Sequence, residues 1–509
     1  MLRAAAMGDD GGFLGAFARI ARDDPARVWG SFDGTPLNFG TLAGQAGAVA
    51  RWLAERGIGP GDPVAVMMGN APQSLAMVLG LAVSGAVWVP VNPAARGPAL
   101  AHLLADSGAR LILCDPDCRA ALTGCGAALP PVVTGPAPGL WPAAPLPSAL
   151  PAPDRILALM YTSGTTGPAK GVPVTHRMLR LAAEGVAHVT TPRAGDIFFL
   201  WEPIFHIGGA QVLPLPALKG IRVAMTGRFS ASRFWAQVEA AGATHVHYLG
   251  GILQMLLKQP PTEVEARAAA GLRMVWGGGC PAGVFAALRA RFPFEIRECY
   301  GMTEMSSITT AADGSEAGVV GRALPWFTVT IRDNRGRPVP AGQRGEITVE
   351  TTDPGAFFAG YHRNPAATAR TLRDGRLHTG DLGSMTRSGV LSFHGRLVES
   401  FRVRGENVSA WEVEHVAAAH PGVAACAVTG VAAEVGEQEL ILFYQPAAGA
   451  DPGAAALHRW LRRRLAPHQC PRFVQVVDGF DRTPSQRIMK HRLPDTAAGA
   501  WDARAQGAD

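Results

Sequence analysis

Between residues 39 and 56 the apolar positions Leu42, Ala46, Val49, Trp52 and Leu53 return every three or four residues. That spacing predicts an amphipathic helix with one buried face. Residues 57–62 read as a turn and 63–68 as a short buried strand. From Leu75 to Val91 the chain runs 17 residues without a charge. Gly80, Gly85 and Pro90 interrupt that run, so it reads as a buried helix passing into a buried strand at 86–91, not as a membrane span. A helical pattern at 98–106 and a strand at 110–114 follow. Strands alternating with helices predict an α/β fold with mostly parallel strands. Residues 126–153 are rich in Ala, Pro and Gly, with no charge before Asp154, and read as an extended surface connection.

The alternation resumes with strands at 197–201, 244–249 and 272–276, the last running into Gly277-Gly278-Gly279. Residues 345–351 read as an antiparallel β element. The pattern changes again near residue 396. Ser409 and Glu412 have capping-box spacing ahead of the apolar Val413, Val416 and Ala417. Strands at 423–428, 440–444 and 473–477, with a helix at 454–465, fill a small α+β domain. The predicted fold class is α/β: a large N-terminal domain (1–395) of α/β subdomains with mostly parallel sheets plus a β element, and a small α+β C-terminal domain (396–509).

Composition narrows the class. A chain of 509 residues exceeds one hydrophobic core, and 48% apolar with 17% charged residues describes a folded globular protein. The net charge of +6 is scattered, and the densest basic run, Arg462-Arg463-Arg464, reads as the solvated side of a helix, so no nucleic-acid partner is expected. Seven dispersed cysteines without zinc-site spacing fit thiols kept reduced in a cytoplasm. Residues 1–12 lack an apolar core of signal-peptide length. Composition leaves open a monomer or a homodimer.

The candidate chemistry centres on residues 161–176. Four hydroxyls and two glycines fall in six consecutive positions, Thr162, Ser163, Gly164, Thr165, Thr166 and Gly167, and Lys170 follows. Glycines let main-chain N–H groups turn inward, hydroxyls donate to phosphate oxygens, and a lysine adds a point charge. Ser/Thr/Gly runs are most often linkers. This one is short, lies between an apolar segment and a strand-like one, and carries a lysine, which favours a polyphosphate-binding loop. The spacing Gly-x4-Gly-Lys-Ser/Thr is absent, so it is not the common nucleotide loop.

Further motifs follow in order: Tyr300-Gly301-Met302-Thr303-Glu304, His378-Thr379-Gly380-Asp381, Gly395-Arg396, and Arg404-Gly-Glu-Asn-Val-Ser409. With the hydroxyl-rich loop they resemble the adenylate-forming superfamily of acyl-CoA synthetases, standalone adenylation domains and luciferases, over residues 40–493. The last motif is similar in style to the carnitine- and crotonobetaine-CoA ligase branch. The resemblance implies that a carboxylate attacks the α-phosphate of ATP, giving acyl-AMP and pyrophosphate, and that a thiol, usually coenzyme A, then displaces AMP. By the same resemblance Thr162 to Gly167 and Lys170 hold the β- and γ-phosphates, Thr303 touches the α-phosphate, and Glu304 ligates Mg²⁺. Asp381 takes the ribose hydroxyls, Arg396 sits beside ribose and α-phosphate, and Gly277, Gly278, Gly279 and Tyr300 frame the adenine, with Gly301 also among the nucleotide-binding residues. His206, with Gly208 and Gly209, matches the segment that gates the acyl site. Trp201, His247 and Tyr248 are candidate pocket liners, although core packing explains them equally well.

Two departures stand out. Where the family carries a C-terminal lysine bridging carboxylate and α-phosphate, this chain has Arg487, with Lys490 three residues further on, so either could serve adenylation. Two residues beyond Arg396, at the hinge about which the family's mobile small domain rotates, stands Val398 instead of Asp or Lys. Both fall in the domain that selects the acceptor. An amine or amino acid, or a carrier-protein thiol, therefore stands as an alternative to coenzyme A, and a non-catalytic nucleotide-binding homologue as a further one. The identity of the carboxylic acid is not legible.

Overall fold

The computed structural model describes residues 12–135, 142–162, 168–280, 282–397, 400–403, 406–432, 438–465, 467–483 and 487–505. Three sheets build the large part of the chain. In the first, strands Val132–Thr134, Leu111–Cys114, Pro63–Met67, Val87–Pro90 and Ile156–Thr162 lie side by side in parallel, and Lys170–Thr175 closes the edge as an antiparallel hairpin partner. The proline- and alanine-rich connection thus contributes a short edge strand, which its composition hid.

Among the described residues the second sheet has nine strands. Its centre is parallel: Glu295–Tyr300, Met274–Gly278, His245–Leu249, Ile197–Leu200 and Arg222–Met225, in that order. The third is antiparallel and includes Gly345–Thr351, Arg376–Met385 and Leu391–Arg396. The uncharged run resolves into a helix, Pro72–Ser84, and the strand Val87–Pro90. Among the described residues no helix is long and apolar enough to cross a membrane.

Burial explains why this pattern folds so. Helix Phe39–Ala54 hides Leu42, Ala46, Val49 and Leu53, and Asn38 caps it by accepting from the Thr41 N–H at 2.7 Å. Helix His176–Thr190 joins the two parallel sheets, with Met178, Leu179, Val186 and Val189 in the main core. The C-terminal region has a core of its own. Helix Ala410–Ala418 packs Val413 and Ala417 against the strands Val423–Ala432 and Gln438–Pro446. An Arg344–Glu412 ion pair at 2.7 Å and ring contact between Phe393 and Trp411 tie it to the antiparallel sheet.

Candidate active site

In parallel sheets, ligand-binding residues gather beyond the carboxyl ends of the strands. Here adjacent parallel strands deliver Trp201 and Glu202, His247 and Tyr248, Gly278 and Gly279, and Tyr300 and Gly301 to one such edge. Gly301 has no room for a side chain, because a Cβ would lie 1.8 Å from the Ser307 carbonyl oxygen. Gly301→Ala is expected to cost about 1–3 kcal/mol of stability, read from denaturant midpoints, because the obstacle is backbone that cannot rotate away.

The short 3₁₀ turn Thr303–Met305 buries Thr303 and Glu304. Glu304 Oε1 accepts from the Tyr361 hydroxyl at 2.7 Å, and its Oε2 is buried with no hydrogen-bond partner among the described residues. Lys170, at the start of its strand, places Nζ 4.2 Å from the centre of the same Tyr361 ring. Burial lowers the Lys170 pKa, Glu304 opposes that, and Arg370 and Arg396 reinforce it. Lysine, tyrosine and glutamate thus form one connected group. Thr162 sits at the mouth of the hairpin, while Ser163, Gly164, Thr165, Thr166 and Gly167 lie outside the described residues.

The second group forms around Asp381. The His378–Asp381 segment is fixed from below: Glu346 bonds His378 Nδ1 at 2.8 Å and accepts from the Gly380 N–H at 3.2 Å, and Thr379 donates to the Ile347 carbonyl at 2.7 Å. Strand register sets Asp381 opposite Arg396, whose Nε lies 2.8 Å from Oδ1, and Tyr300 donates to Oδ2 at 2.6 Å. Burial raises the Asp381 pKa, against the pull of Arg396, Tyr300 and Arg487, while Glu304 adds to the rise. Asp381 therefore feels both Glu304 and Arg487, across some hundred residues of sequence.

The two C-terminal cations part company. The charge of Arg487 acts on Asp381 and also on His206. Lys490 pairs with Glu414 at 2.8 Å inside the C-terminal region, where Glu414 also accepts from the Val428 N–H at 2.6 Å. His206 precedes the short helix Ile207–Ala210, and its Nε2 is buried without a hydrogen-bond partner among the described residues. Its pKa is lowered, chiefly by burial, with Glu202 opposing and Arg487 assisting. Val398, Arg404 and Gly405 lie outside the described residues.

Beneath the glycine turn, Glu298 accepts from the Gly279 and Cys280 N–H groups at 3.1 and 3.0 Å and from the Tyr248 hydroxyl. Tyr248 is thus packed behind the turn, in the core with Phe285 and Leu288. Burial pushes Glu298 up to about 7, against those hydrogen bonds. A carboxyl raised in the folded state binds a proton that the unfolded chain has already released, so stability falls as pH rises from about 4.5 to about 7. Glu298→Gln is expected to flatten that slope in thermal unfolding measured across this window.

Tyr361 and Glu202 were not legible from their neighbours in sequence. In the structure the hydroxyls of all five tyrosines of the chain, residues 161, 248, 300, 361 and 444, donate to carboxylates, a pairing visible only once the chain is folded.

Comparison with known proteins decides the family. The model described as "AMP-binding enzyme" matches residues 16–362, and "AMP-binding enzyme C-terminal domain" matches 412–487. The chain belongs to the AMP-binding enzyme family. It is 32% identical to a sulfoacetate–CoA ligase of Cupriavidus necator over 90% of this chain and 92% of that one. It is 28% identical to a crotonobetaine/carnitine–CoA ligase of Salmonella paratyphi A, over 94% and 97% of the two chains. ATP-bound MatB of Rhodopseudomonas palustris superposes with a TM-score of 0.83 at 26% identity, covering 94% of this chain and 97% of that one. The resemblance drawn from the ordered motifs is thereby borne out, as is the architecture of a large α/β domain and a small C-terminal one.

Proposed function

We propose that this AMP-binding enzyme activates a carboxylic acid with ATP, releases pyrophosphate from the resulting acyl-adenylate, and passes the acyl group to coenzyme A. The observation that carries this reading is convergence: Tyr361 joins Lys170 to Glu304, Arg396 and Tyr300 bond Asp381, and Glu304 and Arg396 bear on the charge of both Lys170 and Asp381. Asp381, an acceptor-only carboxylate, takes the ribose hydroxyls, with Arg396 beside it. The loop 162–167 and Lys170 gather the β- and γ-phosphates, Thr303 meets the α-phosphate, and Gly278, Gly279, Tyr300 and Gly301 frame the base. Pooling positive charge and N–H donors where phosphate charge develops lowers the barrier to attack.

The orphaned Oε2 of Glu304 fits a hard divalent cation. Among the described residues no three His, Cys, Asp or Glu side chains gather into a metal cage, so Mg²⁺ would be held by Glu304 together with the nucleotide's phosphates. When bound, that ion supplies charge neutralisation at the phosphates. Arg487, whose charge bears on both Asp381 and His206, serves in place of a lysine where the carboxylate and α-phosphate meet. His206, Gly208 and Gly209 border the acyl group. The two domains divide at residues 395 and 396, and the protein works in the cytoplasm.

The test is acid-dependent exchange of labelled pyrophosphate into ATP over a panel of acids, with mass identification of the product formed with coenzyme A. Failure of every acid in the panel to support exchange overturns the reading.

A further inference from the structure

Glu202 and His247 form a buried carboxylate–imidazole pair that ATP binding does not require. His247 Nδ1 lies 2.5 Å from Glu202 Oε2, and the two side chains are 10% and 4% exposed. The loop bearing Glu202 is clamped at its backbone: Asn70 donates to the Glu202 carbonyl at 3.0 Å and accepts from the Ile204 N–H at 2.9 Å. Trp201 Nε1 donates to the His247 carbonyl at 2.7 Å, and the His247 ring lies 4.2 Å from that of Trp276, the residue before the glycine turn. Gly208 rests directly on the carboxylate, since a Cβ there would fall 2.4 Å from Glu202 Oε1. The pair therefore sits between the His206–Gly209 segment, which borders the acyl group in the reading above, and the glycine turn.

We infer that this pair reads the acyl group, and that the acid bears a hydrogen-bonding oxygen, a hydroxyl or a carbonyl, which meets His247 Nε2. Glu202 engages Nδ1 and so fixes the ring's orientation, leaving Nε2 as the nitrogen for the substrate. The imidazole is also the more exposed member of the pair. An unbranched hydrocarbon chain in this place would bury Nε2 with no partner, a cost that a polar site imposes on any analogue lacking the matching group. His247 is on this account a specificity residue and Glu202 a positioning residue. The inference rests on the acid-activation reading above.

The experiment measures equilibrium binding of non-hydrolysable acyl-sulfamoyl-adenosines in isosteric pairs, a hydroxyl against a methyl: hydroxybutanoyl with pentanoyl, and para-hydroxybenzoyl with para-toluoyl. The native enzyme is expected to bind the hydroxylated member of at least one pair tenfold or more tightly. His247→Phe should abolish or invert that ratio while retaining affinity for AMP. His247→Gln should keep part of it, and Glu202→Gln should shrink it without altering AMP affinity. Such a change in ratio would not follow from a merely structural role. Equal binding within every pair, or a ratio unchanged in His247→Phe, overturns the inference and leaves acid activation standing. Failure to bind any of the adenosine conjugates overturns both.

Discussion

Arg487→Ala is expected to slow acid-dependent pyrophosphate exchange by about a hundredfold to a thousandfold, roughly 3–4 kcal/mol of transition-state stabilisation. The expectation rests on where the two candidate cations lie. The Thr483 N–H donates to the Arg487 carbonyl at 2.7 Å and the Arg487 N–H returns a bond to Thr483 Oγ1 at 3.0 Å. The charge of Arg487 bears on Asp381 in the large domain and on His206 at the acid's side of the site. A guanidinium keeps its charge at any working pH and offers a planar fork, which suits two acceptors at once, the acid's carboxylate and the α-phosphate. Lys490 instead pairs with Glu414 at 2.8 Å. Lys490→Ala should therefore leave exchange within about threefold and instead weaken the C-terminal domain, because Glu414 loses a half-buried partner. Both rates come from one exchange assay. A large loss in Lys490→Ala, with Arg487→Ala active, would reverse the assignment.

Asp381→Ala should raise the KM for ATP and weaken AMP binding by about tenfold to a hundredfold, in line with roughly 1.5–3 kcal/mol for hydrogen bonds to a charged group. It also removes the acceptor of the buried Tyr300 hydroxyl and the countercharge of Arg396, so the fold is expected to lose stability as well. Asp381→Asn separates the two effects. Its carboxamide oxygen still accepts from Tyr300, so the melting temperature should largely recover. Its NH₂ cannot accept from a ribose hydroxyl, so the affinity should not. Calorimetry with AMP beside thermal unfolding reads both. Recovery of affinity in Asp381→Asn would show that the carboxylate supports Tyr300 and not the nucleotide.

Much of this enzyme was written in local sequence. Helix 39–54 and the strands at 63–67 and 245–249 follow from apolar spacing, since burying one face is a property of a dozen consecutive residues. The ordered motifs from Thr162 to Arg396 identified the family and the nucleotide chemistry, because loops that meet a phosphate or a ribose are short and keep their own residue types. The edge strand Val132–Thr134 was hidden, as its pairing depends on Leu111–Cys114 and not on its own composition. Tyr361 was missed for a similar reason: nothing near it announces that its hydroxyl will hold Glu304, 57 residues away.

By itself, then, the sequence determined the family and the α/β architecture, and named the residues proposed to meet ATP. Only the tertiary structure separated Arg487 from Lys490, set Tyr248 behind the glycine turn, and joined Glu202 to His247. The physical reason is range. Helix and strand periodicity act over a few residues, whereas a charge acts on whatever the fold brings close, and three positions of sequence were enough to set the charge of Arg487 on Asp381 and to pair Lys490 with Glu414.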